Sequence, residues 1–294
     1  MQVHNTLPLL LDCLKKWKKT PEWPEFERDY LAPLIPHLKP MLEDFEGIGR
    51  SGLYDVVTGL DWPTYREETL ALDARKEEQR LRKHIDQVEK LLGVGLKGEV
   101  VLFGAFTMMD GYARFDRGTH RVFLGVDESH GRGAYLDVLL THELTHVARE
   151  SKASVWEGFG LSPQMTHDEF VLSQPVIEHL FSEGFSCVVS EILNPSCEAW
   201  NYVYQTEDSL AQILTHGPAV DRVVHRELKK KKGNYRSLYD TSLFKPEMPR
   251  YAHYVWAWRW VKEVVETFGK GNVQAVLSRC SQDFMEHSLK FKLE

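Results

Sequence analysis

The first 92 residues of the chain carry apolar positions at helical spacing, interrupted by residues that favour turns. This pattern predicts a series of helices. The longest of them is predicted to begin at Thr64. Thr64 and Glu67 have the spacing of a capping box, in which a hydroxyl and a carboxylate satisfy each other's free backbone amides. Gly93 is expected to end it, because glycine readily adopts the left-handed conformation found beyond many helix ends. The N-terminal third is therefore expected to be helical.

After residue 97 the pattern changes from helical to extended. Short apolar runs without helical spacing predict strands of a small antiparallel or mixed sheet, and these runs are residues 100–106, 112–116 and 121–126. Helical periodicity returns in two later segments, 134–150 and 176–193. We therefore predict an α+β fold with a helical region over residues 1–97 and a second domain over residues 98–294.

Composition and charge narrow the class of protein. Of the 294 residues, 43% are hydrophobic and 27% are charged, which is typical of a globular protein. The net charge of -7 gives no support for a broad basic surface that binds nucleic acid. No apolar run approaches the roughly 18 residues of a membrane-spanning helix, and the N-terminus lacks the basic segment of an export signal. We expect a cytoplasmic protein without a membrane span, and the sequence predicts no oligomeric state.

The chain contains 13 histidines but only 4 cysteines. The cysteines are scattered along the chain without a C-x-x-C pair: Cys13, Cys187, Cys197 and Cys280. This spacing argues against a disulfide framework and against a cysteine-based zinc site. Any metal ion is therefore expected to be held by imidazole and carboxylate groups.

An H-E-x-x-H motif lies within the predicted helix 134–150. On a helix His142 and His146 are one turn apart on the same face, so both rings can reach one ion about 2.0 to 2.1 Å away. Glu143 lies beside them, placed to activate a water molecule without binding the metal itself. The motif predicts a zinc-dependent hydrolase with Zn²⁺ as its cofactor.

A catalytic zinc site requires a third protein ligand. The extended metzincin motif is absent, since Arg149 and Lys152 stand where that motif has glycine and histidine. We prefer Glu183, because its distance from the motif leaves room for a loop and the start of a second helix. His179 is one turn earlier on the same predicted face and is a competing ligand, while Glu178 is a weaker candidate.

Gly184 follows the preferred ligand inside a predicted helix. Glycine costs about 1 kcal/mol relative to alanine in a helix interior, so its presence there indicates a place where another backbone comes close. We expect this neighbour to be the helix that carries His142.

The H-E-L-T-H helix followed by an S-E-G-F-S segment resembles the gluzincin branch of zinc metallopeptidases. More narrowly, residues 98–268 are similar to a bacterial family of predicted zinc-dependent proteases, the YjaZ-like family. The resemblance implies a zincin-like core, Glu183 as the third ligand, and hydrolysis of a peptide or protein substrate. In zincins an extended substrate pairs with the edge strand before the active-site helix, which here would lie within 111–115 or 102–106.

The resemblance also implies a tyrosine or histidine that stabilises the oxyanion, for which we prefer Tyr254 over His253 and Tyr251. The chain departs from the related patterns at three positions. Ser186 replaces alanine, His253 replaces glycine, and Cys187 replaces the acid that orients a histidine in thermolysin-type enzymes. The departures at Cys187 and His253 motivate a second hypothesis, a catalytically degenerate zincin scaffold that binds a peptide or protein.

Overall fold

A computed structural model describes residues 1–44, 49–127, 134–230, 235–245 and 247–293. The fold is α+β, as predicted, and it is mostly helical with one small mixed sheet. Within the described ranges, no helix is both long enough and apolar enough to cross a membrane.

The structure contains sixteen α-helices and four strands within the described residues. The α-helices are α1 (Leu7–Lys16), α2 (Trp23–Phe26), α3 (Ala32–Asp44), α4 (Gly49–Gly59), α5 (Trp62–Leu70), α6 (Ala74–Leu92), α7 (Ala134–Glu150), α8 (Ala153–Glu157), α9 (His167–Ser173), α10 (Val176–Leu193), α11 (Ala199–Tyr202), α12 (Glu207–Thr215), α13 (Gly217–Leu228), α14 (Ala252–Gly269), α15 (Gln274–Leu277) and α16 (Met285–Ser288). A π-helical segment (Glu27–Leu31) and 3₁₀ segments (Tyr235–Tyr239, Thr241–Leu243 and Ser281–Phe284) complete the helical elements. The strands are β1 (Gln2–Asn5), β2 (Glu99–Phe103), β3 (Gly111–Asp116) and β4 (Thr119–Gly125).

The sheet has the strand order β1-β2-β4-β3. Strand β2 runs parallel to both of its neighbours, with Glu99 opposite Gln2 on one side and Arg121 on the other. Only one of the two segments predicted to bind an extended substrate, 111–115, therefore lies in an edge strand. The alternative, 102–106, is wrong because its strand residues belong to β2, which is paired on both sides.

The N-terminal region departs from the helical prediction in two places. Residues 2–5 form strand β1, whose partner β2 lies far along the chain. The helix predicted to start at Thr64 is instead two helices, because α5 already begins at Trp62 and ends at Leu70. The second helix, α6, begins after Asp73, whose carboxylate accepts hydrogen bonds from the backbone of Arg75 (3.0 Å) and Lys76 (3.3 Å). Gly93 has a φ of 65° and follows the end of α6, as predicted.

The chain forms two compact units that are interleaved along the sequence. The first comprises Met1–Ile85, Lys97–Arg114 and His120–Leu140, and the second comprises Asp86–Leu96, Phe115–Thr119 and Thr141–Glu294. Buried aromatic rings fill the core of the first unit: Trp17, Phe26, Tyr30, Trp62, Tyr65 and Phe106. The core of the second unit includes Trp156, Phe181, Phe185, Trp256 and Trp260. The domain boundary proposed at residue 97 stays a prediction.

A buried carboxylate organises the bend that follows strand β2 in the first unit. Asp127 accepts hydrogen bonds from the backbone N–H groups of Ala105 (2.6 Å) and Phe106 (2.7 Å) and from the Tyr65 hydroxyl. Phe106 has a φ of 52°, a left-handed conformation that is uncommon for a residue with a side chain. The carboxylate therefore holds a strained turn by satisfying its buried amides.

We expect Asp127→Ala to lower the free energy of unfolding by about 3 kcal/mol, because it leaves two backbone donors and a phenol buried without an acceptor. Urea denaturation measures this change. Asp55→Ala, at an exposed position in α4, is the matched control and should change the free energy by less than about 0.5 kcal/mol. Equal effects of the two substitutions would contradict the role assigned to Asp127.

Candidate metal centre

Helix α7 carries the H-E-x-x-H motif, and its bounds match the predicted segment. Leu144 and Val147 are buried on this helix and anchor it in the core of the second unit. His142 is 2% exposed, while Glu143 and His146 are each 8% exposed. The motif therefore lies within the unit rather than on an open surface.

Helix α10 brings Glu183 to the two histidines. The Glu183 Oε2 atom lies 3.1 Å from His142 Nε2 and 3.4 Å from His146 Nε2, and the two Nε2 atoms are 3.1 Å apart. The three residues predicted as metal ligands are thus brought together, and their donor atoms form a nearly equilateral triangle.

The triangle has the dimensions of one face of a metal coordination site. Ligands about 2.1 Å from a tetrahedral zinc ion lie about 3.4 Å from one another, and the observed separations are 3.1 to 3.4 Å. A search of the described residues for three or more histidine, cysteine or acidic side chains close enough to hold one ion finds His142, His146 and Glu183. Two imidazole nitrogens and one carboxylate oxygen could therefore hold a divalent metal ion.

The electrostatics of the cluster favour a positive charge at its centre. Burial lowers the pKa of His142 to about 4. Burial alone would also lower the pKa of His146, but the charge of Glu183 outweighs this and raises that pKa to about 9. Burial opposes ionisation of Glu183, yet His146 and His142 hold its pKa well below the usual range. The two histidines therefore favour the charged form of the Glu183 carboxylate.

The outward-facing nitrogen of each histidine has a polar neighbour. His146 Nδ1 lies 2.8 Å from the Ser182 hydroxyl, and His142 Nδ1 lies 4.0 Å from the Cys187 thiol. Burial raises the pKa of Cys187 well above its usual value, so the group is a neutral thiol. Cys187 is therefore a neutral neighbour of His142, and a thiol interacts with an imidazole more weakly than a carboxylate would.

The alternative third ligands lie outside the donor triangle. The carboxylate of Glu178 forms a fully buried bidentate ion pair with Arg149, at 2.7 and 2.8 Å. His179 Nδ1 is 3.8 Å from the other oxygen of Glu183, Oε1, and the His179 ring stacks on Tyr235 with centroids 4.3 Å apart. Glu178 is therefore engaged in a structural contact, and His179 is a neighbour of Glu183.

Gly184 allows a second helix to approach Glu183. A Cβ atom at this position would lie 2.3 Å from the Ala257 carbonyl oxygen and 2.8 Å from Val261 Cγ2. The predicted close approach of a backbone is confirmed, but the predicted neighbour is wrong, because both atoms belong to α14 rather than to the helix of His142. The absence of a side chain therefore lets α14, which carries Tyr254, pack against the helix of Glu183.

Tyr254 lies close to the cluster of His142, His146 and Glu183. Its ring is stacked near that of His142, with centroids 6.3 Å apart, and burial keeps the pKa of its hydroxyl well above the usual value. The alternatives are placed differently: His253 is fully buried, and the Tyr251 ring is 5.4 Å from that of Tyr254. Tyr254 is therefore the best placed of the three to reach the centre.

Sequence reasoning missed two tyrosines of this site. Tyr204 makes an edge contact with His142, with centroids 5.0 Å apart. The Tyr239 hydroxyl lies 3.2 Å from that of Tyr254 and 3.3 Å from His179 Nε2. The density of tyrosines over residues 235–254 was the available signal for Tyr239, whereas Tyr204 had no comparable local signal.

Comparison of the chain with protein-family models, with curated proteins and with solved structures gives no significant match. The resemblance to gluzincins therefore stays an expectation drawn from motifs, and conclusions about function depend on the geometry of the residues themselves.

We expect Gly184→Ala to destabilise the protein by about 1 to 3 kcal/mol, because the added methyl group overlaps the Ala257 carbonyl and outweighs the better helix propensity of alanine. Thermal or urea unfolding measures this change. Gly59→Ala is the control, since a Cβ there meets no atom within 4 Å, and it should leave stability unchanged or slightly higher. Equal effects of the two substitutions would contradict the close approach of α14.

We expect the metal-free protein to take up about one zinc ion per chain on dialysis against Zn²⁺, measured by elemental analysis. His146→Ala and Glu183→Ala should each lose this ion, because two remaining ligands bind zinc weakly. His216→Ala, a histidine outside the cluster, should retain it. Retention of a full equivalent by the first two variants would show that the ion binds elsewhere.

Proposed function

We propose that the protein is a zinc-dependent peptidase with a zincin-like core. The observation that carries the proposal is the buried triangle of His142 Nε2, His146 Nε2 and Glu183 Oε2, with edges of 3.1 to 3.4 Å. Two histidines and one glutamate are a ligand set of catalytic zinc sites, which leave a fourth position for water or substrate.

The donor atoms favour zinc over the alkaline earth ions. Imidazole nitrogens suit zinc and other transition metals, whereas calcium and magnesium prefer oxygen ligands. His142, His146 and Glu183 would hold the ion. When bound, zinc lowers the pKa of a water molecule towards about 7 and polarises a carbonyl group.

Glu143 is the proposed general base. It neighbours His142 in the sequence, and its charge contributes to the raised pKa of His146, so it is close to the cluster. It is not one of the three donors of the triangle. Its carboxylate would take the proton of the attacking water and return it to the leaving amine.

Tyr254 is the proposed donor to the oxygen of the scissile carbonyl, which becomes negative during the attack. Its hydroxyl stays protonated because burial raises its pKa, and a neutral donor in a buried site stabilises such a charge without reorganisation. The choice of a peptide or protein substrate comes from the resemblance to zinc metallopeptidases.

A second function, a non-catalytic zincin scaffold that binds a peptide or protein, is favoured by one observation. The thiol of Cys187, 4.0 Å from His142 Nδ1, stands where an acid would orient the histidine. Partners of metal-bound histidines raise the basicity of the ligand, and their loss typically costs 10- to 100-fold in affinity or activity.

The decisive experiment compares Glu143→Gln with the unaltered protein. We expect hydrolysis of a mixed-sequence fluorogenic peptide library to fall by about 10² to 10⁴, because the general base is lost, while about one zinc ion per chain is retained. Glu157→Gln, an exposed glutamate on α8, is the control and should keep full activity.

The two functions give different results in this experiment. Hydrolysis by the unaltered protein that disappears in Glu143→Gln supports the peptidase. A zinc-loaded protein that binds library peptides but cleaves none, with equal binding by Glu143→Gln, supports the scaffold and contradicts the peptidase.

A further inference from the structure

The two carboxylate oxygens of Glu183 have different surroundings. Oε2 faces both histidines of the triangle, whereas Oε1 lies 3.8 Å from Nδ1 of the buried His179. This distance permits an electrostatic attraction but is too long for a direct hydrogen bond. His179 is therefore placed to influence which oxygen Glu183 presents to the centre.

The ring of His179 is itself held from two directions. One face stacks on Tyr235, with centroids 4.3 Å apart and an angle of 26° between the rings. At the ring edge, Nε2 lies 3.3 Å from the Tyr239 hydroxyl. The stacking fixes the plane of the ring, and the hydrogen bond fixes which edge of the ring faces Tyr239.

The charge of Glu183 determines the direction of these contacts. A carboxylate only accepts, and a neutral imidazole carries its proton on one nitrogen. The favourable arrangement places the His179 proton on Nδ1, which faces Oε1. Nε2 then accepts the hydrogen bond from the Tyr239 hydroxyl. Removal of this hydroxyl would allow the other tautomer, whose Nδ1 lone pair would face the carboxylate.

We propose that Tyr239 is a positioning residue that acts through His179 to orient the Glu183 carboxylate for metal binding. This inference rests on the metal centre of the proposed function. His179, the competing ligand of the sequence analysis, thus supports the ligand instead of replacing it. Neither residue is one of the three donors of the triangle, so the expected effect is on the affinity of the site for its ion.

The test is the zinc affinity of the metal-free protein, measured by competition with a chromophoric chelator. Tyr239→Phe keeps the ring and removes only the hydroxyl. We expect it to weaken zinc binding about 10-fold, the lower end of the range for lost partners of metal ligands. The thermal midpoint of the metal-free protein should be nearly unchanged, since the packing of the ring is retained.

Two further variants separate this role from general loosening of the site. His179→Phe should weaken zinc binding at least as much, and adding Tyr239→Phe to it should cause no further loss, because both act on one contact. Tyr202→Phe is the control, because it removes a tyrosine hydroxyl that donates to the backbone carbonyl of Asn194 (2.7 Å) and not to His179. It should leave zinc affinity unchanged.

Each result decides the proposal. Unchanged affinity in Tyr239→Phe overturns it, as does an equal loss in Tyr202→Phe or an additive loss in the double variant. Should Tyr239→Phe fold poorly, unchanged affinity in His179→Phe overturns it in the same way. An unaltered protein that binds no zinc contradicts the proposed function as well, whereas zinc binding that is insensitive to Tyr239 contradicts only this inference.

Discussion

The arrangement of His142, His146 and His179 around Glu183 depends on the need to balance one buried negative charge. Glu183 is 7% exposed, and a charged carboxylate at such a position is costly unless opposite charge or hydrogen-bond donors surround it. His142 and His146 meet this need on one side, and His179 faces the second oxygen. A divalent ion within the triangle would balance the charge of Glu183 more strongly than the histidines do. The buried charge that requires a positive partner is therefore also the feature that would favour metal binding.

Two contacts hold the helices that carry these groups. The buried ion pair between Arg149 and Glu178 joins α7 to α10, and Arg149 also donates to the backbone carbonyl of Leu277. Removal of one partner of such a pair is expected to cost about 3 to 5 kcal/mol, because it leaves a buried charge alone. Gly184 lets α14 pack closely on α10. Glu178 therefore has a structural role, although it lies near Glu183 in the sequence and was a candidate for the same function.

The tyrosines near the centre contact different histidines. Tyr254 and Tyr204 lie against the ring of His142. Tyr239 lies between Tyr254 and His179 and hydrogen-bonds to both. In the proposed peptidase, one tyrosine would stabilise the developing charge and its neighbour would stabilise the geometry of the ligands.

The sequence by itself determined what local spacing controls. The H-E-x-x-H motif, helices 134–150 and 176–193, and the strands after residue 97 were predictable because periodicity and neighbouring residues decide them. Glu183 was preferred as the third ligand because of its distance from the motif, and the resemblance supported the same choice. Tertiary structure alone decided the parallel pairing of β1 with β2, the packing of α14 against Gly184, and the position of Tyr239 beside His179. These features depend on contacts between residues far apart in the chain, for which no local pattern of side chains carries a signal.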